Sequence, residues 1–357
     1  MRSSRKNIRA LITGRRQKYK TLMKKFLALI FFLASVTFAQ ASEKIPVKVL
    51  ILPKFEVGQI KGDFPGEAQY YYEAFLDGGE EYEIPGGFED NKLYVKNGVA
   101  LYVTGMGKVN SALSTMAVLN DERFDFSNAY VISTGCAGGA RDYAVMGDVV
   151  LATAAVDYDL GHHADIRDMK DKTATTWFHD KASDSVAEIK LNTGLIEKIY
   201  SLVKNIKLET TEFTKKTMSD EFDGAEWAVR DPKVLLGTTV TSDNFWKGIL
   251  GHNNALLITK TYGCRDPYAL TEMEDVAVSF AVKRMNMLDR YIIVRDVVNM
   301  DVFILNSTPE NLWGDMNVND GLASENSIES LDIFQTARKN NFAVGSIIIK
   351  AILNGEL

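Results

Sequence analysis

Positive charge is in short supply: Lys and Arg number 41 against 47 Asp and Glu, for a net charge of −6. No basic stripe and no helix-turn-helix signature offsets this in the body of the chain. A nucleic-acid partner is therefore set aside, because binding a polyanion draws on clustered cations. Cysteine is scarcer still, with Cys136 and Cys264 alone. An even pair allows a disulfide in an oxidising compartment, and the sequence leaves that choice open. The histidine doublet His162-His163, with Asp165 close by, lacks the spacing of a metal site. Neighbouring residues on a strand point to opposite faces, and no His-x-x-x-His accompanies the doublet, so no metal is expected. Past residue 41 no apolar run approaches the ~20 residues of a membrane span, so no stable insertion of the mature chain is expected. A Walker loop, an internal repeat, a low-complexity linker and a shift of composition are also missing. What is left is an ordinary globular balance, 46% hydrophobic and 25% charged. It suits one large α/β domain.

The N-terminus carries a targeting pattern. Met23-Lys24-Lys25 is a short basic region, residues 26–38 are apolar, and Ala39-Gln40-Ala41 is a small-x-small cleavage site before Ser42. Residues 1–22 are rich in Arg and Lys and read as an over-extended start, with Met23 as the initiator. The expected organisation is a leader and secretory signal peptide over 1–41 and an exported, periplasmic domain over 42–357.

From there strands and helices alternate. Residues 47–52 read as a first strand, 67–76 as a tyrosine-rich helix, 99–103 as a strand and 109–119 as a helix. The turn between the last two, Thr104-Gly105-Met106-Gly107-Lys108, puts a Gly-x-Gly before a helix N-terminus, which suits an anion or a polar ligand. The stretch 130–153 organises the rest. It opens as a buried strand at Tyr130-Val131-Ile132, is expected to break into a loop at Thr134-Gly135-Cys136-Ala137-Gly138-Gly139-Ala140, and resumes as a strand at Asp148. Bare backbone at such a loop lets a ligand approach closely, and the same glycines also fit a plain tight turn. Later segments read as a helix over 191–203, a strand over 234–240, a helix over 270–285, a strand over 291–294 and a long helix over 327–353. On the 270–285 helix Glu272 and Asp275 share one face, and Glu272 is expected to matter little.

Six stretches fall in a telling order: Gly-Met-Gly-Lys-Val-Asn-Ser-Ala (105–112), Thr-Gly-Cys-Ala-Gly-Gly (134–139), Gly-Asp-Val-Val (147–150), Ser-Asp-Asn-Phe (242–245), Glu-Met-Glu-Asp (272–275) and Val-Arg-Asp-Val-Val-Asn (294–299). They resemble the nucleoside phosphorylase and nucleosidase superfamily. Phe55-Glu56, Pro65-Gly66-Glu67 and Asp159-Leu160-Gly161-His162 with Asp165 narrow the resemblance to its purine nucleoside permease branch. The resemblance covers roughly residues 46 to 350. It implies a nucleoside phosphorylase-like fold, a three-layer α/β/α sandwich with a central mixed sheet, often as a homo-oligomer.

The resemblance also implies a site for a purine nucleoside. Breaking an N-glycosidic bond builds positive charge on the ribose and negative charge on the departing base, so a carboxylate at the sugar and a donor at the base are needed. Glu274 matches the residue that grips the ribose hydroxyls, and Met273 the one packed on the sugar. Phe245 matches the aromatic that stacks on the purine, and a plain core Phe fits equally well. Cys136, Ala137, Gly138 and Gly139 match the segment beside the base, with Cys136 where the family often has Ser. Asn299 stands where nucleosidases hold an Asp that donates a proton to the purine; it can hydrogen-bond but has no titratable proton. Asp301, two residues on, is the substitute acid. Glu56 is the nearest match to the Glu that activates water. No cofactor is implied. Inorganic phosphate is a co-substrate only if an oxyanion site exists, for which Gly105, Gly107, Lys108 and Lys54 are the candidates, with Arg265 and Arg295 behind them. The Arg-Val-Gly-Ser motif of bacterial phosphorylases is missing. Phosphorolysis, hydrolysis and nucleoside binding in support of transport all remain open at this point.

Overall fold

Ten strands, most of them aliphatic and β-branched, build the sheet that carries the fold: β1 (Val49–Leu52), β2 (Glu80–Glu83), β3 (Lys92–Lys96), β4 (Val99–Leu101), β5 (Tyr130–Gly139), β6 (Val149–Asp157), β7 (Glu188–Lys190), β8 (Val234–Thr241), β9 (Tyr268–Glu272) and β10 (Tyr291–Met300). Seven helices join them among the described residues: α1 (Gln69–Phe75), α2 (Lys108–Leu119), α3 (Thr193–Val203), α4 (Glu212–Glu221), α5 (Ile249–Thr261), α6 (Asp275–Arg284) and α7 (Ile328–Leu353). The computed structural model describes residues 43–357 apart from 166, 167, 169, 172–174, 223 and 303–327. The leader expected over 1–41 lies outside the described residues.

The sheet runs β7-β6-β8-β9-β5-β1-β4-β3-β2, with β10 joining β5 to β6. It is mixed: β1 pairs in parallel with both β4 and β5, while β9 lies antiparallel to β5. Strands β6, β8, β9, β5 and β10 close on themselves. Over these strands the middle layer is a barrel-like ring, and the layered sandwich implied by the resemblance gives way to it. Register shifts in β8 at Gly237/Thr238 and Thr238/Thr239, and in β10 at Val297/Asn299, supply the extra twist that closure requires. Val49 to Leu52 and Tyr291 to Val294 are fully buried, as strands covered on both faces should be. Successive residues of β10 face opposite ways: Arg295 reaches Asp275 at the start of α6, while Asp296 meets Arg338 of α7.

Two local expectations change. The glycine-rich stretch 134–139 is not a loop, because β5 continues through it for ten residues. Its glycines answer to side chains lying over the strand. A Cβ on Gly135 (φ +155°) would sit 2.6 Å from Glu67 Oε1 and 2.8 Å from Arg295 Nη1. One on Gly138 would sit 2.9 Å from Asn299 Oδ1. The second change is the helix expected over 270–285, which is a strand to Glu272 followed by a helix from Asp275. The Glu272 carboxylate takes the backbone N–H groups of Glu274 and Asp275, both at 2.7 Å, and so starts the helix where a continuous one was expected.

Candidate active site

The end of β9, the start of α6 and the middle of β10 bring four ionisable side chains together. Arg295, 1% exposed, donates from Nη2 to Glu274 Oε2 at 2.9 Å, to Asp275 Oδ1 at 3.0 Å and to Glu272 Oε2 at 3.2 Å. Its Nε donates to Asp275 Oδ2 at 2.9 Å, and its Nη1 to the carbonyl of Cys136 at 2.9 Å. One guanidinium thus fixes three carboxylates and the backbone of β5. Burial pushes Glu272 up to about 7, with the Asp275 charge adding to it. Glu274 is also raised by burial, although Arg295 and Lys54 pull it back. Asp275 is held below the usual carboxylate range, because Arg295 and Lys54 outweigh its burial.

Glu274 also accepts from the N–H of Gly107 at 3.1 Å. Gly107 (φ +85°) caps α2, so the Gly-x-Gly turn aims its helix N-terminus at a carboxylate of the protein itself. Across the cluster lies Glu67, 5% exposed, whose Oε2 accepts from Lys54 N and Oε1 from Cys136 N, each at 2.7 Å. Arg338 approaches it at 3.6 Å. Glu56, the residue matched to the water-activating Glu, is elsewhere engaged. Its carboxylate accepts the backbone N–H groups of Val57, Gly66, Ala68 and Gln69 and so anchors the start of α1. The carboxylate that faces Cys136 and Arg295 is therefore Glu67, the last residue of the Pro-Gly-Glu motif. Asn299, 5% exposed, lies over Gly138, its register partner on β5. Ala137 is buried, Gly139 pairs with Leu270 and Met300, and Met273 is half-buried between Glu272 and Glu274.

Against known proteins, the family model described as purine nucleoside permease matches residues 46–356. The chain belongs to the purine nucleoside permease family. The protein named "Probable purine nucleoside permease" of Schizosaccharomyces pombe is 27% identical over 224 residues, covering 56% of this chain and 63% of that one. A 5'-methylthioadenosine/S-adenosylhomocysteine nucleosidase of Oceanobacillus iheyensis is 30% identical over 132 residues, covering 37% of this chain and 51% of that one. The chain thus spans between half and two thirds of the length of these curated relatives. Among solved structures, a nucleosidase of the same name from Francisella philomiragia aligns with a TM-score of 0.49 at 19% identity, covering 84% of this chain and 98% of that one.

In this member of the permease family the remaining expected residues fall into three groups. The phosphate candidates all have protein partners. Lys54 Nζ donates to Leu52 O and Ser133 Oγ; Lys108 Nζ donates to Asp157 and Asp159; Gly105 packs against the Phe88 ring. Arg265 pairs with Glu197 and Asp266, whereas Arg295 is the centre of the cluster. Asp301 stands apart from that cluster: its carboxylate meets His252 Nδ1 at 2.7 Å, Tyr268 Oη at 2.9 Å and the N–H of Arg141 at 3.1 Å. Phe245 is 45% exposed, and its neighbour Trp246 stacks on Tyr158 with ring centroids 5.0 Å apart. Asp159 ties the two family motifs together, accepting from Ser242, Asn244 and Lys108. Both cysteines are free thiols. Burial raises Cys136 well above its ordinary value and brings Cys264 to about 11.

Proposed function

We propose that this chain cleaves the N-glycosidic bond of a purine nucleoside, releasing free base outside the cytoplasm after loss of residues 1–41. The observation that carries the reading is Glu274, a buried carboxylate pinned between Arg295 and the N–H of Gly107. Held there, it can accept from the ribose hydroxyls and favour the cationic sugar of the transition state, where a fixed charge in a low-dielectric site acts most strongly. Asn299, over Gly138, is the donor to the departing base. Glu67 takes the part first matched to Glu56, accepting a proton from the attacking nucleophile.

Water suits this nucleophile better than phosphate. Each candidate phosphate donor is already bound to a protein oxygen or packed on a ring, and the cluster is rich in carboxylates that repel an anion. The resemblance to nucleosidases in part of the chain points the same way. The test is incubation of the pure protein with inosine and with adenosine, with and without phosphate, followed by assay of free base. Base release at the same rate in both media is the expected result; release only with phosphate makes the protein a phosphorylase. The second reading is a nucleoside-binding component that supports transport. It is favoured by Asn299, which has no acidic proton to give the base. Tight nucleoside binding with no base released under either condition would establish it.

A further inference from the structure

Lys54 is a buried cation that the proposed reaction leaves without a task. It follows Pro53 just past β1 and is 1% exposed. Its Nζ donates to the carbonyl of Leu52 at 2.8 Å and to Ser133 Oγ at 2.7 Å. Ser133 Oγ donates onward to Asp275 Oδ1 at 2.7 Å, and Asp275 shares the Arg295 guanidinium with Glu274. The backbone N–H of the same lysine holds Glu67. Lys54 is thus joined to the carboxylates on both sides of the site, one through its main chain and the others through its side chain.

Stability alone does not account for a lysine here. Stripping an ammonium of water is unfavourable, and an apolar side chain of the same length would fill the volume. What the lysine adds is charge. Glu67, Glu272, Glu274 and Asp275 face Arg295 and Lys54, so without the lysine four carboxylates would share one nearby guanidinium, with Arg338 reaching only Glu67. We infer that Lys54 is a positioning residue, whose charge, carried through Ser133 and Asp275, keeps Glu274 ionised. The consequence for turnover rests on the glycosidic-cleavage reading; the electrostatic part does not.

Burial already raises Glu274, with the Glu67 charge adding to it, while Arg295, Lys54 and the Gly107 N–H draw it back, so loss of the lysine favours its protonated form. The charged groups facing Lys54 are Arg295 on β10, Asp275 and Glu274 at the start of α6, and Glu67 ahead of α1. Burial, and then Arg295, bring Lys54 itself down to about 8. It is therefore charged throughout the acid range in which Glu274 takes up its proton.

The experiment compares the parent with Lys54→Met and Lys54→Arg by two readouts. The first is the pH profile of kcat/KM for base release. Lys54→Met moves the acid limb up by about one pH unit, so that activity falls about tenfold on the acid side and recovers toward alkaline pH. Lys54→Arg keeps the acid limb where it was, because a guanidinium carries the same charge throughout that range. The second readout needs no activity: NMR titration of protein labelled at the glutamate carboxyl carbons, with the Glu274 signal assigned by its loss in Glu274→Gln. Its midpoint is expected about one unit higher in Lys54→Met than in the parent. Equal midpoints, or a uniform loss of activity at every pH, overturn the inference. If Lys54→Met does not fold, Lys54→Gln takes its place in both readouts, and a raised Glu274 midpoint in Lys54→Arg also rejects the inference. A parent that releases no base refutes the functional reading while the carboxyl titration still tests Lys54.

Discussion

Among single residues Glu274 and Asn299 separate the readings most sharply. Glu274→Gln keeps the shape and the Gly107 contact but removes the charge offered to the sugar. Turnover should fall at least a hundredfold, ~2.7 kcal/mol, with the protein still folded. A Gln variant as active as the parent would remove Glu274 from the site. Asn299→Asp should change the inosine-to-adenosine preference by about 1–3 kcal/mol, since an acid and an amide pair differently with the 6-oxo and 6-amino edges. An unchanged ratio means that Asn299 does not face the base. Both residues were legible in the sequence because each lies inside a short motif. Glu67 stands in the Pro-Gly-Glu motif and Lys54 among the phosphate candidates, but their places in the cluster were not legible, because their partners are remote: Glu67 meets Cys136 across 69 residues, and Lys54 meets Ser133 across 79.

At the level of elements, two glutamates act as anchors of helices. Glu56 holds four backbone N–H groups at the entry to α1. Glu56→Ala should lower the stability to urea by about 2 kcal/mol, as loss of a strong cap does, and leave turnover per folded molecule near the parent's. A stable but inactive variant would restore Glu56 to the chemistry. Glu272 starts α6 in the same way, so the expectation that Glu272 matters little does not survive its burial. Its folded value of about 7 lies above the ordinary 4.5, so folding favours the protonated form. The stability it contributes is complete below pH 4.5 and is lost as pH rises through about 7. Glu272→Gln cannot titrate. The stability difference between parent and variant should therefore shift against the parent by on the order of 3 kcal/mol across that window. Parallel urea-midpoint curves for the two proteins would contradict this.

The whole molecule raises the question of where it works. No helix among the described residues is long and apolar enough to cross a membrane. If the basic, apolar and small-x-small pattern before Ser42 is a cleaved signal, protein recovered from the cell envelope should begin at or near Ser42. N-terminal sequencing checks this, and soluble periplasmic protein that retains residues 1–41 would overturn it. The ring of β6, β8, β9, β5 and β10 is also a property of the whole, since it joins strands whose partners lie far apart in the chain.

The sequence by itself determined the alternation of strands and helices, the extent of the family match and the choice of Glu274 as a candidate, because each of these is written in local periodicity or in a short motif. It could not determine that 134–139 stays in a strand, since glycine reads locally as a break. The carboxylate of Glu67, the guanidinium of Arg295 and the amide of Asn299 lying over β5 explain why Gly135 and Gly138 lack a Cβ. Nor could it show that Lys54 and Lys108 already have protein partners, because a side chain's partner depends on which surfaces the fold buries against each other. Tertiary structure decided which charges are spent within the protein.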